Sequence, residues 1–190
     1  MNNIEVEIRG SLTKEKYNQL EAFLKNKGSF VESHDREMIL LHGYPGFDMN
    51  PLKRLVDIRL RNTNGQCEIM IKRTASENNI GRTELSIQPV DNDWENLKEL
   101  ARSFGVAKGT LIHRKKEIYV YKDIEWSLVS APGEIFYYEA EFISDTNDIK
   151  EKQKTLIQEA QELNLEVFTP EDTKVFIEML NEKVNKEITL

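Results

Sequence analysis

Apolar and charged positions alternate along much of this chain. In residues 4–9, Ile4, Val6 and Ile8 share one face and Glu5, Glu7 and Arg9 the other, the period of two that predicts a strand. The pattern returns at 55–61, 67–73 and 82–88. There Ile58 and Leu60 oppose Asp57, Arg59 and Arg61. Ile69 and Ile71 oppose Glu68, Met70 and Lys72, and Leu85 and Ile87 oppose Arg82, Glu84 and Ser86. Asn62 to Gly65 predicts a hairpin turn and Gly43 to Phe47 a second turn. Further strands are predicted at 30–41, 110–121, 124–129 and 135–143.

Spacing of three and four predicts the helices. One covers 13–27, with Tyr17, Leu20, Phe23 and Leu24 on its stripe and Gly28 as the stop. A second covers 93–104. Trp94, Leu97, Leu100, Ala101 and Phe104 are its expected core face, Asn92 with Glu95 its expected capping box, and Gly105 its end. A third carries Ile149, Leu156, Ile157, Ala160 and Leu163. The fourth starts at Thr169-Pro170 and presents Val175, Phe176, Met179 and Leu180. The expected fold class is α+β: one domain over 1–190 with eight mostly sequential antiparallel strands and flanking helices.

The charged strand faces change this picture. A half-buried sheet with a wet outer face also alternates, and it carries mixed Thr, Ser, Gln and Lys. Here Arg, Lys and Glu dominate instead. If the sheet closes into a barrel with these faces inward, the enclosed charges must hold each other, water or a ligand. A polyanion with a divalent cation satisfies both signs, because Arg grips phosphate and carboxylates supply hard oxygen ligands.

The motifs then line up with a known family. Glu5-Val6-Glu7-Ile8-Arg9 resembles the ExExK signature of the CYTH domains, or triphosphate tunnel metalloenzymes. Arg59-Leu60-Arg61 is similar to their RxR strand, Lys72 to the lysine that follows, and Arg82-Thr83-Glu84 to their RxE strand. Arg114-Lys115-Lys116 with Tyr119 resembles the basic strand, Glu139-Ala140-Glu141 the late ExE strand, and Thr173 to Leu180 the closing helix. The resemblance implies a closed or nearly closed eight-stranded triphosphate tunnel. It implies Glu5, Glu7, Glu139 and Glu141 on Mg2+ or Mn2+, and Arg59, Arg61, Lys72, Arg82, Arg114 and Lys116 on phosphate. Arg9 is implied as a further contact or activator of a water, and Glu84 as a group that orients an arginine or shares the metal through water. Some positions differ from the family pattern. Arg9 stands for Lys, the basic strand reads Arg-x-Lys, and residues 32–51 lack the usual aromatic hairpin. Residues 126–130 have no carboxylate where an Asp is usual, with Asp123 and Glu125 earlier in the chain.

The implied activity is metal-dependent hydrolysis of inorganic tripolyphosphate or of a nucleoside or thiamine triphosphate. A class IV-like adenylyl cyclase and a nucleotide- or polyphosphate-binding module are the alternatives. The nucleophile separates the first two: water gives a triphosphatase, a ribose hydroxyl a cyclase.

Composition narrows the partners. The 26 basic side chains against 33 acidic ones give a net charge of −7, which argues against nucleic acid as the partner. The longest uncharged run, Met38 to Phe47, is ten residues, too short for a membrane span. Glu5 and Glu7 interrupt any N-terminal signal core, and Cys67 is the lone cysteine, so a cytoplasmic, reducing location is expected. A homodimer stays open. His34, His42 and His113 have no metal-ligand spacing and are expected to pack or lie on the surface. Cys67 is expected to be inert, and Lys115 and Lys183 solvated.

Overall fold

The computed structural model describes residues 4–74, 81–144 and 148–190. The elements run β1 (Ile4–Leu12), α1 (Lys14–Lys27), β2 (Ser29–Leu41), β3 (Val56–Thr63), β4 (Gln66–Thr74), β5 (Gly81–Ile87), α2 (Trp94–Ser103), β6 (Lys108–Tyr121), β7 (Ile124–Ala131), β8 (Ile135–Ser144), α3 (Ile149–Glu162), α4 (Pro170–Lys183) and β9 (Lys186–Thr189). The eight predicted strands are β1 to β8. All pairings are antiparallel, in the order β2-β3-β4-β5-β1-β8-β7-β6, and β2 pairs with β6 to close the ring. The strands are not spaced evenly round one axis. The fifth residue from the C-terminus begins a short ninth strand that the sequence pattern does not predict: β9 extends β6 beyond its pairing with β7.

The hydrophobic core lies outside this ring. Val6, Ile8 and Leu12 of β1 pack with Ile124, Trp126 and Leu128 of β7 and Tyr138 and Ala140 of β8. Leu20 and Leu24 of α1 and Leu156 and Ala160 of α3 cover them. On the far side α2 lays Leu97 and Ala101 over Ile39, Leu41, Leu60 and Cys67. The alternation therefore sends apolar residues out to the helices and charged ones into the ring. A third cluster sits at one end, where Phe176 and Leu180 of α4 pack on Val129, Ala131 and Tyr137.

Local chemistry sets the helix ends. Thr13 accepts from Lys16 N at the start of α1, and Thr169 forms a reciprocal capping box with Asp172 at the start of α4. At α2 the cap is Asp93, which accepts from Glu95 N and Asn96 N. The expected Asn92 cap is corrected: Asn92 turns back to the β3–β4 hairpin, accepting from Cys67 N and donating to Gly65 O. Three other expectations are also corrected. Leu100 is 39%, Phe104 77% and Val175 56% exposed, because α2 buries Leu97 and Ala101 and ends at Gly105 with φ +81°, and α4 turns Phe176 and Leu180 inward instead.

The segment between α3 and α4 clasps β1. Phe168 N donates to Arg9 O at 2.8 Å, Tyr138 Oη to Glu166 O at 2.7 Å, and Ser11 Oγ to the Glu166 carboxylate at 2.8 Å. The approach is so close that a Cβ on Gly10 would lie 1.9 Å from Glu166 O. Gly10→Ala is expected to lower stability by about 1–3 kcal/mol through forced displacement of this clasp. Phe104→Ala is expected to stay within about 0.5 kcal/mol of the parent. Urea unfolding of both variants checks the pair.

Candidate functional site

The ring encloses a cavity of about 310 Å³. Its wall is built from the inward positions of every strand of the ring but β7: Glu5, Glu7 and Arg9 from β1, Arg36 from β2, Asp57, Arg59 and Arg61 from β3, Lys72 from β4, Arg82 from β5, Arg114 and Lys116 from β6, and Tyr137, Glu139 and Glu141 from β8. Arg54, just before β3, also reaches it. Of the predicted site residues only Glu84 is not on this lining. It flanks Lys72, opposite it in the β4–β5 ladder and in an ion pair with it. Glu84 therefore meets a lysine, and its charge also favours the protonated Arg61 guanidinium.

The charges separate into neighbourhoods. At the first, carboxylate oxygens of Glu5, Glu7 and Glu141 lie within 4.8 Å of one another. Lys72 Nζ donates to Glu5 at 2.8 Å. Burial works against the Glu5 carboxylate, but Lys72 and a hydrogen bond from Glu141 outweigh it and hold its pKa below the usual range. Glu141 goes the other way. Burial, then its hydrogen bond and repulsion with Glu5, then Glu7 and Glu125, push its pKa up to about 10. One proton is thus held between two carboxyl groups at neutral pH.

Glu125 is a carboxylate that the sequence reading set aside as too early in β7. It stands directly opposite Glu141 in the β7–β8 ladder, while Ser127 stands opposite Glu139. Burial raises its pKa as well. The strand without the usual Asp still brings an acid to this neighbourhood, two residues before Ser127.

The second neighbourhood is basic. Arg59 Nε and Nη2 donate to the two Asp57 oxygens, both at 2.7 Å. Arg54 Nη1 donates to Asp57 at 3.3 Å, and Arg82 lies 3.9 Å from it. Three guanidiniums share one carboxylate. Burial alone would raise the pKa of Asp57, but Arg59, then Arg54 and Arg82, hold it far below the usual range. Arg61 makes one long contact, 3.5 Å to Glu68, and its Nε is buried with no acceptor among the described residues. Arg36 donates to Thr63 Oγ1 at 2.8 Å and to His34 Nδ1 at 3.0 Å. Burial and then Arg61 pull its pKa down to about 10.

Between the two neighbourhoods, Arg9 bridges Glu7 and Glu139, and Lys116 pairs with Glu139. Burial opposes the charge on Arg9, yet Glu7 and Glu139 outweigh it and raise its pKa. Arg9 is therefore held in its charged form. Glu139 is buried too, but Lys116 and Arg9 bring its pKa down to about 2. The sequence reading missed Arg36, Arg54 and Asp57 as wall residues. Asp57 had the signal, since it alternates with Arg59 and Arg61. Arg54 had none, because it precedes the strand.

The histidines stay out of the carboxylate cluster. His42 stacks on Phe47 and bonds Thr110, His34 holds Arg36, and His113 is on the surface beside Glu37. Cys67 is buried, and burial raises its pKa. Lys115 is 73% exposed. No helix among the described residues is long and apolar enough to cross a membrane.

No family model and no curated protein matches this sequence. Solved structures do match its fold. The PH1819 protein of Pyrococcus horikoshii is 23% identical, with a TM-score of 0.70 over 94% of this chain and 99% of that one. A candidate adenylate cyclase of Vibrio parahaemolyticus is 12% identical, with a TM-score of 0.65 over 87% and 91%. A candidate adenylyl cyclase of Hippeastrum, described as having a dominant triphosphatase activity, is 13% identical, with a TM-score of 0.55 over 87% and 89%. These likenesses show a shared fold.

Removing the shared anion tests the basic neighbourhood. Asp57→Asn leaves one buried and two partly buried guanidiniums around a neutral amide and is expected to cost about 3–5 kcal/mol at neutral pH. The folded pKa of Asp57 is depressed, so its contribution is complete above its unfolded pKa of about 3.9. The contribution is lost as pH falls through the folded value. The gap between parent and variant in urea unfolding should therefore be constant from pH 5 to 7 (in round terms, about two units) and narrow at more acid pH.

Proposed function

We propose that this chain is a divalent-metal-dependent triphosphatase that binds its substrate inside the tunnel. The observation that carries the reading is the charge on the cavity wall. Arg9, Arg36, Arg54, Arg59, Arg61, Lys72, Arg82, Arg114 and Lys116 face Glu5, Glu7, Asp57, Glu139 and Glu141 there, in a chain whose net charge is −7. A cationic surplus concentrated in an enclosed space of an acidic protein is stabilised by a bound polyanion. The buried Arg61 Nε, with no acceptor of its own, fits an oxyanion.

The acid cluster fits a hard cation. Glu5, Glu7 and Glu141 offer carboxylate oxygens at mutual distances that one ion could span, with Glu139 and Glu125 next in line. A bound Mg2+ or Mn2+ would supply neutralisation of phosphate charge and an acidified water. The protein's own part is positioning and electrostatic stabilisation. Arg59, Arg61, Arg82, Arg114 and Lys116 hold phosphate oxygens, with Arg36 and Arg54 beside them. In the reaction, water oxygen bonds to the terminal phosphorus and the bond to the bridging oxygen breaks. One proton passes from the attacking water to the departing phosphate oxygen or to solvent, and orthophosphate and the shortened phosphate are released. The likeness to the Hippeastrum protein supports this reading over cyclisation, since triphosphatase activity is described as dominant there.

Incubation with Mg2+ or Mn2+ and tripolyphosphate, ATP or thiamine triphosphate is expected to release orthophosphate. The Glu139→Gln, Glu141→Gln double variant is expected to lose at least about 100-fold in rate, as removal of groups that stabilise a phosphoryl transition state does. Cyclic nucleotide with pyrophosphate would reassign the chain as a cyclase. Absence of any product from the parent protein would sink the enzyme reading.

Calorimetry supplies a second check without turnover. Glu141 is protonated at pH 7 and must ionise to ligate, so Mn2+ binding should release about one proton. The affinity should rise with pH until the pKa near 10 is passed. Mn2+ titrations in buffers of different ionisation enthalpy measure the proton count. A count of zero would remove Glu141 from the ligand set.

A further inference from the structure

We propose that Asn185, at the junction of α4 and β9, is a positioning residue that orients Arg114 toward the phosphate chain while leaving its charge uncompensated. The proposal rests on the triphosphate reading of the tunnel. Most cations on the cavity wall lie within 4.0 Å of a carboxylate. Arg36 and Arg114 are the exceptions among the described residues. These two stand directly opposite each other across β2 and β6.

Arg114 is only 5% exposed. It donates to its neighbour's carbonyl, His113 O, at 2.6 Å and to Asn185 Oδ1 at 3.0 Å. Both acceptors are neutral. A neutral acceptor fixes the guanidinium plane without cancelling its charge, whereas a carboxylate in the same place would do both. Two like charges side by side in the ladder, Arg114 buried and Arg36 partly so, cost stability unless an anion joins them. The pair thus marks a place for one phosphate group.

The surrounding chain holds Asn185 still. Its Nδ2 donates to Asn181 Oδ1 at 2.8 Å and its N to Leu180 O at 2.9 Å. The next residue, Lys186, enters β9 opposite Leu111 of β6, the strand that carries Arg114. Leu180 is buried in the cluster that seats α4 on Tyr137. The closing helix and the last strand converge on this one amide.

The test compares Asn185→Asp with Asn185→Leu. Binding of tripolyphosphate with Mg2+ is measured by calorimetry, and folding by thermal unfolding. Asn185→Asp keeps the hydrogen bond but neutralises Arg114, so the Kd is expected to rise at least about tenfold, the usual scale for losing one charge-assisted contact. Asn185→Leu loses only the orientation and is expected to raise it less, about threefold. A merely structural amide would reverse the order, because Asp is the closer mimic. In an Arg114→Gln background, Asn185→Asp should have no further effect. Binding by Asn185→Asp within twofold of the parent, or a larger loss in Asn185→Leu, overturns the proposal (a factor of about two being the scatter of such measurements). Should Asn185→Asp fail to melt cooperatively, Asn185→Leu decides, and unchanged affinity there overturns it. If the parent protein binds no tripolyphosphate, the triphosphate reading itself fails, and this proposal goes with it.

Discussion

Every structural feature of this protein answers to the enclosure of charge within a closed ring of strands. Arg59 on Asp57, Lys72 on Glu5, and Lys116 and Arg9 on Glu139 are largely removed from bulk water. A ring filled this way cannot also supply a hydrophobic core, since buried ion pairs contribute little net stability. The core has to be built on the outer face. That is why α1, α2 and α3 lie against the outside of the strands, and why Trp126, Tyr138, Leu24 and Leu156 are fully buried there. An ordinary small barrel fills its interior with aliphatic side chains and leaves its exterior to solvent. Here the two faces exchange roles, and the helices are the consequence.

Within the ring the pairing is uneven. Three arginines share Asp57, two further arginines have only neutral partners, and the carboxyl groups of Glu5 and Glu141 share a proton. A structural network would be expected to match its charges one to one, because each mismatch costs stability in a low dielectric. The mismatch has a direction, with cations in surplus on one wall and acids crowded on another. Both defects are relieved together by a polyanion that carries a cation.

Much of this arrangement was legible in the sequence because alternation fixes the face of each side chain. Glu5, Glu7, Arg59, Arg61, Lys72, Arg82, Arg114, Lys116, Glu139 and Glu141 all reach the cavity wall that their period of two implied. Pairing register was not legible, since it depends on where hairpins turn. The tight turn at Gly133 and Glu134, both at positive φ, joins β7 to β8 and sets Glu125 opposite Glu141. Without that register Glu125 looked misplaced. Arg54 and Asn185 lie outside the alternating runs, so no periodicity could assign them a face. Phe104 shows the converse: helical spacing put it on the apolar stripe, but it falls on the last turn, beyond the strands that α2 covers.

The C-terminal elements connect the two halves of this argument. α4 brings Phe176 and Leu180 onto Val129, Ala131 and Tyr137 at one end of the ring, where inward positions have become apolar. The clasp of 166–168 on Arg9 and Gly10 ties the start of that helix to the strand bearing Glu5 and Glu7. β9 ties its end to the strand bearing Arg114 and Lys116. One helix is therefore anchored to the acidic wall at its beginning and to a basic wall at its end. Rigid placement of both walls matters more here than in a ring of matched pairs, because surplus like charges would otherwise drift apart and lose the geometry that a phosphate chain requires. α4 lines the cavity with Thr173, Ile177, Leu180 and Asn181 and with no charged side chain, so it holds the walls without neutralising them.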